Sequence, residues 1–481
     1  MANKRNAHVN ARPRAKSSVK STEPIEEKEG NVIMFDTNVI INDQDCISEF
    51  LKQSGNVVVV PRMVILELDK LKNPKSEIKS EARMATKIIY DFRKTKSNRV
   101  FISWKQNFKS LDLDRNVPDY NIIAAFNYAL TDKKFIGYKK FKLITDDTAM
   151  LLIASELFAG NSKVEVSPYN HIRVKVKKEP KKLKTIILKE SDYEVVGSTI
   201  KADRFKRIKE NGAVLVKYDN TPEFMAIRKG KYLVPADVNT SVCAIKSMPH
   251  PKLGINWKQA QFISHLIDPA ITMVFVSGIA GTGKTLLALA AALHQRGKYG
   301  QIILTRPAVP LDNEDNLGFL PGDLNAKMAE YIVPFVQDLE VIIEANDKNP
   351  SFFMRKNKAY TTNLLLAELR KDPFAFLSNL NIKVNAVQHY RGRTYHNSFI
   401  IVDEAQNLTH SQVKAILTRA GKNCKIVLTG DLEQIDKKFL NSENSGLANA
   451  IVKLGGQPLV GVTMLHQTVR SETAELAEKL L

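Results

Sequence analysis

The sequence has few cysteines, and those it has stand far apart. Only Cys46, Cys243 and Cys424 occur in 481 residues. An odd number of widely separated cysteines gives neither the paired spacing of a structural zinc site nor a disulfide framework. This pattern is typical of a reducing compartment, so we expect a cytoplasmic protein without structural zinc or disulfides.

The sequence also lacks a long hydrophobic run. No apolar segment of the signal-peptide type follows the basic first residues. The apolar run from Ile271 to Val276, which ends at a glycine, is too short to cross a bilayer. We therefore expect neither a signal peptide nor a membrane contact.

Acidic residues are scarce relative to basic ones. The chain has 71 Lys and Arg but 51 Asp and Glu, a formal net charge of +20. This excess favours nucleic acid or another polyanion as partner, because phosphate neutralisation releases counterions. A basic protein that is merely soluble is the alternative. The length predicts two to four domains.

A glycine-rich segment lies between an apolar run and a strong helix former. It reads Gly278-Ile279-Ala280-Gly281-Thr282-Gly283-Lys284-Thr285. Strand, glycine-rich turn and helix together predict a phosphate-binding loop for ATP. Lys284 would reach the β- and γ-phosphates, and the Thr285 hydroxyl would complete the shell of a bound Mg²⁺.

Two further apolar runs end in polar residues within the same region. Asp403 and Glu404 follow one run, where Asp403 would hold the magnesium water shell and Glu404 would polarise the attacking water. Gln434 follows the other and could sense the γ-phosphate. An arginine is also expected to neutralise the phosphoryl group, and the candidates are Arg306, Arg391, Arg393, Arg419 and Arg470.

Four acidic residues mark the first third of the chain, where strands alternate with helices and predict a parallel α/β sheet. Asp36 and Asp147 end strands, while Glu67 and Asp119 begin helices bordering the same edge. Four converging carboxylates require bridging cations, and their hard oxygens select Mg²⁺ or Mn²⁺. Such a cluster can hydrolyse phosphodiesters. The alternative is that each acid is a helix cap or a surface charge.

Composition divides the chain into four parts: 1–30, 31–170, 171–253 and 254–481. We expect a disordered basic and acidic tail, an α/β domain, a basic linker with a small β-rich module, and an ATPase domain. The basic run 173–184 is typical of a solvated linker, although RNA contact stays open. The module either stacks RNA bases on its aromatic residues or is a plain spacer domain. Its candidate RNA-contacting residues are Arg204, Lys206, Arg207, Lys209, Tyr218, Phe224 and Tyr232.

The acidic motifs resemble those of PIN-domain ribonucleases. The resemblance covers about 31–169 and lies in Phe35-Asp36-Thr37-Asn38-Val39, Glu67, Asp119 and Thr145-Asp146-Asp147. It implies a metal-dependent endoribonuclease acting on single-stranded RNA, with Asp36, Glu67, Asp119 and Asp147 as metal ligands. Asn38 would be a supporting polar residue. Asp146 stands where a non-acidic residue is more usual in this family. The resemblance therefore leaves open whether Asp146 or Asp147 binds the metal, and we favour Asp147.

The last domain resembles the PhoH-like ATPases, which are similar to the motor core of superfamily 1 helicases. The motifs are Gly281–Ala288, Thr305–Pro307, Gly318–Gly322, Arg391–Thr394, Asp403–Asn407, Gly430–Asp436, Ser445–Leu447 and Val469-Arg470. The resemblance implies adenine recognition by Asn256 and Gln259, phosphate sensing by Arg470, and a ring-shaped, hexameric assembly. The segment 345–385 is longer than this family leads us to expect.

Together the two resemblances imply ATP-dependent RNA unwinding coupled to RNA cleavage. The first alternative is an ATP-dependent RNA-binding or remodelling protein whose PIN module does not cleave. The second is an ATPase acting on DNA or protein. Many PIN nucleases are restrained by an antitoxin-like regulator, and the sequence itself encodes none.

Overall fold

The computed structural model describes most of the three folded parts of the chain. The described residues are 28–73, 76, 78–109, 111–169, 174–177, 182–188, 195–196, 199–201, 207–218, 222–248, 255–307, 324–353, 361–390, 392–437 and 440–467. They form three sheets, one in each part. Among the described helices, none combines the length and the apolar character that a bilayer crossing requires.

The N-terminal domain is a five-stranded parallel sheet in the order β3-β2-β1-β4-β5. Its strands are β1 (Lys28–Phe35), β2 (Val57–Pro61), β3 (Val100–Ser103), β4 (Tyr138–Ile144) and β5 (Val164–Ser167). Its helices are α1 (Thr37–Asn42), α2 (Cys46–Leu51), α3 (Arg62–Lys70), α4 (Lys79–Thr95), α5 (Pro118–Thr131) and α6 (Thr148–Leu157).

Local sequence explains these elements. Every residue of β2 is buried, as expected for a β-branched run in a parallel sheet covered on both faces. Pro118 opens α5 at its first position, where the missing N–H costs no hydrogen bond. The predicted disordered tail to residue 30 is wrong at its end, because Lys28–Gly30 already belong to β1. Residues 1–27 lie outside the described part.

The middle module is a six-stranded sheet in the order β6-β9-β10-β11-β8-β7. Its strands are β6 (Thr185–Leu188), β7 (Val195–Val196), β8 (Thr199–Lys201), β9 (Ala213–Tyr218), β10 (Phe224–Lys229) and β11 (Tyr232–Pro235). The sequence did not predict β8 or β10. Phe224, a predicted stacking residue, packs against the module's own core. Tyr232 is 39% exposed, and Arg204 and Lys206 lie outside the described residues.

The C-terminal domain is a six-stranded parallel sheet in the order β14-β13-β15-β16-β12-β17. Its strands are β12 (Met273–Gly278), β13 (Gln301–Thr305), β14 (Ile382–Val384), β15 (Ser398–Val402), β16 (Cys424–Gly430) and β17 (Val460–Leu465). Its helices are α7 (Trp257–Ile267), α8 (Lys284–His294), α9 (Leu324–Ala345), α10 (Thr362–Lys371), α11 (Pro373–Asn379), α12 (His410–Leu417) and α13 (Gly446–Leu454). The expectation of parallel α/β domains flanking a β-rich module is confirmed.

The long segment 345–385 is an integral part of this domain. Its strand β14 pairs with β13 and adds an edge strand to the sheet. Leu365, Leu369 and Phe376 bury their side chains in the domain core. Arg370 of this segment pairs with Glu340 of α9 at 2.7 Å. Its packing therefore gives this segment a structural role.

The N-terminal domain contacts the C-terminal domain through the start of α12. Ser411 Oγ donates to the Asn42 carbonyl at 3.1 Å, and Gln412 Nε2 donates to the buried Glu81 at 3.1 Å. Lys414 pairs with Asp45. Because Asn42 ends α1, which begins beside Asp36, one short helix connects the acidic cluster to this interface.

The middle module contacts the C-terminal domain at its edge strand β17 and at α7. Asn211 Nδ2 donates to the Val460 carbonyl at 2.9 Å, where β17 begins. Lys229 pairs with Asp268 at 2.6 Å, just after α7 ends. Leu215 and Met225 of the module also pack against Ala260 in the first turn of α7. The module therefore contacts both ends of α7 and the amino end of β17.

Candidate ATP and metal sites

The glycine-rich loop lies between β12 and α8, as the sequence predicts. Gly281 and Gly283 have φ values of +74° and +81°, which L-residues with side chains rarely adopt. Lys284 Nζ donates to the carbonyls of Gly278 and Ile279 at 2.5 and 2.9 Å. The lysine cation therefore lies over the loop, where it can exchange these carbonyls for phosphate oxygens.

The loop is held from two sides. A Cβ on Gly278 would lie 2.5 Å from the Leu465 carbonyl of β17, so this position requires glycine. Gln259 is buried and donates from Nε2 to the Thr282 carbonyl at 3.0 Å. Its Oε1 accepts from Met248 N at 2.8 Å, and Asn256 caps α7 by accepting from Gln259 N. In this conformation Gln259 therefore supports the loop.

The two residues predicted to hold magnesium, Thr285 and Asp403, contact each other. Thr285 Oγ1 donates to Asp403 Oδ1 at 2.9 Å, and Thr429 Oγ1 donates to the same oxygen at 2.6 Å. Asp403 is only 4% exposed. A hydroxyl and a carboxylate in contact at the carboxyl-end side of the sheet are the hard oxygen donors that Mg²⁺ prefers. These residues fit a magnesium ion bound with the nucleotide.

Glu404 lies next to Asp403 in a strained backbone conformation, with φ of +51°. Its carboxylate pairs with Arg306 at 3.1 Å and accepts from Gln406 Nε2 at 2.6 Å. The same Gln406 amide donates to the Gln434 carbonyl at 3.0 Å. Glu404 and Gln434 are thereby joined through one side chain that the sequence did not single out, while the Gln434 side chain is exposed.

Of the candidate arginines, Arg306 contacts the site directly through Glu404. Arg393 is exposed, and Arg419 follows α12. Arg391 and Arg470 lie outside the described residues, as does the motif Gly318–Gly322. The role of Arg470 therefore stays a prediction.

Asp338 of α9 is an acidic residue that the sequence gave no reason to select. Burial and the nearby Asp403 carboxylate raise the pKa of Asp338 to about 7. It interrupts the apolar face formed by Phe335, Leu339 and Ile342. A carboxylate within such a face was the one available signal, and motif-based reasoning missed it.

A cavity of about 680 Å³ opens beside the loop. It is lined by residues of the 174–177 strap, the β12 and β17 ends and the segments 431–435 and 440–443. The strap belongs to the predicted solvated linker, yet Val174 N donates to the Glu443 carbonyl at 2.8 Å. Val174 and Val176 pack on the domain core, while Lys175 and Lys177 are exposed. This part of the linker therefore packs against the C-terminal domain.

Asp36 is the most buried acid of the N-terminal cluster, at 3% exposure. It caps α1 by accepting from Thr37 N at 2.5 Å, and it accepts from Thr145 Oγ1 at 3.0 Å. Burial raises the pKa of Asp36 to about 7; the two threonine hydrogen bonds oppose this rise, while Asp119 and Glu67 add to it. The carboxylates thus lie close enough to interact electrostatically.

The other acids of the cluster interact in the same way. Burial, and then Asp119, raises the pKa of Glu67, and burial followed by Asp147 raises the pKa of Asp119. Glu67 accepts a short hydrogen bond from Thr37 Oγ1. The prediction that Glu67 begins its helix is wrong, because α3 begins at Arg62 and Glu67 lies in its second turn. From there its side chain still reaches the carboxyl end of β1.

The adjacent residues Asp146 and Asp147 accept hydrogen bonds from different parts of the domain. Asp147 caps α6 by accepting from Met150 N at 2.7 Å, and it is the acid whose charge acts on Asp119. Asp146 instead accepts from Tyr169 N at 3.2 Å. The geometry supports the preference for Asp147 as the ligand.

The cluster supplies the donor chemistry for Mg²⁺ or Mn²⁺: four carboxylates that repel one another at a sheet edge. Among the residues described, however, no three acidic, histidine or cysteine side chains are grouped closely enough to hold a metal ion as they stand. Asp36 accepts a hydrogen bond from Thr145 and Glu67 accepts one from Thr37, two residues of the quoted motifs to which the sequence analysis gave no role. The predicted support residue Asn38 is half-buried in α1.

Family models match both ends of the chain. A model described as PIN domain matches residues 33–158, and one described as PhoH-like protein matches residues 254–481. Among solved structures, the Pif1 helicase from Candida albicans aligns with 46% of this chain and 42% of that chain at 14% identity. Its TM-score of 0.23 is too low for the likeness to carry an argument.

Curated relatives cover the chain to different extents. A protein named PhoH2 from Bacillus subtilis is 39% identical over 47% of this chain and 47% of its own length. A PhoH-like protein from the same organism is 36% identical over 41% of this chain and 53% of its own length. The chain thus spans about half of each of these two relatives. A protein named PhoH2 from Thermobispora bispora is 26% identical over 96% of this chain and 99% of its own length. The chain therefore carries a PIN domain followed by a PhoH-like domain.

Proposed function

We propose that this protein hydrolyses ATP to translocate along and unwind RNA, and that it cleaves single-stranded RNA at the metal-dependent PIN site. The observation that carries this proposal is the presence of two separate site constellations in one chain of net charge +20. One combines a phosphate-binding loop with paired acids, and the other is a buried carboxylate cluster.

For ATP hydrolysis, each residue has a defined role. Lys284 exchanges its loop carbonyls for the β- and γ-phosphate oxygens, and the loop amides bind the remaining charge. Thr285 and Asp403 would hold the magnesium ion that accompanies the nucleotide. Glu404, oriented by Arg306 and Gln406, accepts the proton of the attacking water. Gln434, joined to Glu404 through Gln406, relays the state of the γ-phosphate.

For RNA cleavage, Asp36, Glu67, Asp119 and Asp147 would hold the divalent cation. When bound, this cation supplies a nucleophilic water and charge stabilisation at the phosphate. Thr145 and Thr37 orient Asp36 and Glu67. The raised pKa of Asp36, about 7, means that cation binding must displace a proton there near neutral pH.

A second candidate function is an ATP-dependent RNA-binding or remodelling protein whose PIN module does not cleave. One observation favours it: within the described chain, the carboxylates are not drawn together as a metal group. Retention of RNA-stimulated ATP turnover without any metal-dependent cleavage would select this candidate.

The proposal extends to assembly and location through the resemblance to PhoH-like ATPases. A hexameric ring in the cytoplasm would pass RNA through its centre toward the PIN domains, and an antitoxin-like regulator would restrain cleavage. Sedimentation analysis with and without ATP tests the ring. A monomer under both conditions would contradict it.

The experiment that tests the motor assignment compares RNA and DNA oligonucleotides as stimulators of ATP turnover. Wild-type protein should respond to RNA, unwind a labelled partial RNA duplex with ATP, and lose both activities in Lys284→Ala. Unwinding by Lys284→Ala would contradict the motor assignment. Stimulation by DNA alone would identify a different substrate.

A further inference from the structure

The N-terminal domain exposes a tryptophan beside an arginine. Trp104 directly follows β3 and is 67% exposed, and the Arg62 guanidinium lies 5.6 Å from the centre of its ring. The chain has two tryptophans, and the other, Trp257, packs against a buried cluster between the middle module and α7. Large aromatic rings usually bury much of their surface, so an exposed one beside a cation indicates a contact surface.

This pair lies on the edge that carries the acidic cluster. Ser103 of β3 pairs with Pro61 of β2, so Trp104 and Arg62 follow neighbouring strand ends. Strand β1 lies on the other side of β2 and ends directly before Asp36. At the usual spacing of neighbouring strands, the ends of β3 and β1 are about 10 Å apart. An extended polymer bound at Trp104 can therefore reach the acidic cluster.

Two more cation–ring pairs involve the segment that follows Trp104, and their rings, Phe108 and Tyr128, are half-buried. Lys105 Nζ lies 5.7 Å from the centre of the Tyr128 ring, and the Arg115 guanidinium lies 5.2 Å from that of Phe108. We call the six residues the Trp104 strip: Arg62, Trp104, Lys105, Phe108, Arg115 and Tyr128. Within the described part of the chain, its three cations form no ion pairs with acidic side chains.

The segment that carries the strip is fixed to α5. Asn107 N donates to the Ala124 carbonyl at 2.8 Å, and Asn127 Nδ2 donates to the Asn107 carbonyl at 2.9 Å. Helix α5 begins beside the cluster residue Asp119. The strip is thereby held on the same helix as a predicted metal ligand, which gives a bound molecule a fixed position relative to the cluster.

We propose that the Trp104 strip binds single-stranded RNA and guides it to the acidic cluster. An unpaired base stacks on Trp104, and Arg62, Lys105 and Arg115 contact the backbone phosphates. Aromatic rings interleaved with cations are the chemistry by which proteins hold single strands without sequence preference. Bases inside a duplex are already stacked on each other, so the strip selects unpaired RNA. The proposal rests on the proposed function in taking RNA as the substrate.

Tryptophan fluorescence tests this binding without using either activity. In a Trp257→Phe, Asp36→Asn protein, Trp104 is the sole tryptophan, and EDTA removes divalent metal. Adding single-stranded oligo-RNA should quench Trp104 emission to saturation, whereas the same sequence as a duplex should not. Absence of quenching at RNA concentrations that saturate the protein would overturn the proposal.

A second measurement avoids the Trp257 substitution. Anisotropy of labelled single-stranded RNA should show binding weakened about 5- to 100-fold by Trp104→Ala in the Asp36→Asn protein, with partial recovery in Trp104→Phe. Tyr90→Ala is the matched control, because Tyr90 is also an exposed aromatic residue, at 64% exposure. It lies on α4, which comes before the amino end of β3, whereas Trp104 follows the carboxyl end of that strand. Unchanged affinity in Trp104→Ala would contradict the proposal.

Cleavage kinetics separate this proposal from the nuclease assignment. With Asp36 intact, Trp104→Ala should raise KM for single-stranded RNA with little change in kcat. If Asp36→Asn leaves cleavage intact, the nuclease assignment fails, but the binding results still decide the strip. Loss of self-association in Trp104→Ala with RNA affinity unchanged would assign the surface to a second copy instead and overturn the proposal.

Discussion

The two sites of this protein differ in how their carboxylates are accommodated. At the ATP site, Asp403 accepts hydrogen bonds from Thr285 and Thr429, and Glu404 pairs with the Arg306 cation. In the PIN cluster, the acids act on one another, and burial together with this repulsion raises the pKa of Asp36 to about 7. The first site has its donors in place, whereas the second has an excess of negative charge.

This difference follows from what each site must bind. The ATP site receives a polyanion together with its magnesium, so it presents a lysine and backbone amides as well as acids. The PIN cluster would receive the cation first, and only acids serve that purpose. A bound cation would relieve the repulsion among these carboxylates, and the comparison is open to direct tests.

The largest effect is expected from Glu404→Gln. ATP turnover should fall roughly 10²–10⁴-fold because the attacking water loses its proton acceptor. Nucleotide binding should persist, since Lys284 and the loop are unchanged. Steady-state turnover and fluorescent-nucleotide titration measure the two quantities. Glu344→Gln, on the exposed face of α9, is the control; equal losses in both variants would show that Glu404 has no special role.

The adjacent acids of the PIN cluster provide the next test. Asp147→Asn should reduce metal-dependent RNA cleavage roughly 10²-fold, on the scale of other electrostatic catalytic groups. Asp146→Asn should have a much smaller effect, because Asp146 accepts from Tyr169 N and Asp147 faces Asp119. A reversed order would reassign the ligand and contradict the geometry described above.

A smaller effect is expected from the supporting threonine. Thr145→Val keeps the shape of this buried residue but removes the hydrogen bond to Asp36. The pKa of Asp36 should rise further, and Mn²⁺ affinity should fall roughly 10-fold, as for other residues that orient metal ligands. Isothermal titration of Mn²⁺ measures this change. Thr131→Val, on exposed helix surface, should leave it unaltered.

The smallest effect concerns the contact between the two domains. Lys414→Ala removes a half-exposed ion pair with Asp45 and should lower the free energy of unfolding by less than about 1 kcal/mol. Urea unfolding measures it. A much larger loss, or a change in either activity, would mean that the two sites depend on this interface more than its exposure indicates.

Most residues of the predicted ATP site stand in short stretches of sequence, so the sequence could predict them together. The segment Gly278–Thr285 carries both the turn and its chemistry, and Asp403 and Glu404 are neighbours in the chain. What it did not reveal were Gln406, Arg306 as the partner of Glu404, and Asp338, because these contacts are set by packing between distant elements.

The sequence predicted the PIN cluster as four acids, at strand ends and helix starts, that converge on one edge of the sheet. Parallel-sheet geometry explains why Asp36 and Asp147 share an edge, but the reach of Glu67 from the second turn of α3 depends on how that helix packs. Thr37 and Thr145 stand in the quoted motifs, but their supporting role was not predicted because a hydroxyl that orients a carboxylate has no sequence signature of its own. The packing of the strap 174–177 was not predicted, because its many lysines are typical of a solvated linker although Val174 and Val176 alternate with them.

The central claim is that one chain carries two separable active sites, and Asp36→Asn tests it most directly. Mg²⁺- or Mn²⁺-dependent cleavage of labelled single-stranded RNA and ATP turnover should be measured on the same preparations, with the exposed Asp114→Asn as control. Cleavage should be lost in Asp36→Asn alone, while ATP turnover persists in both variants. Cleavage by Asp36→Asn at the wild-type rate would contradict the account.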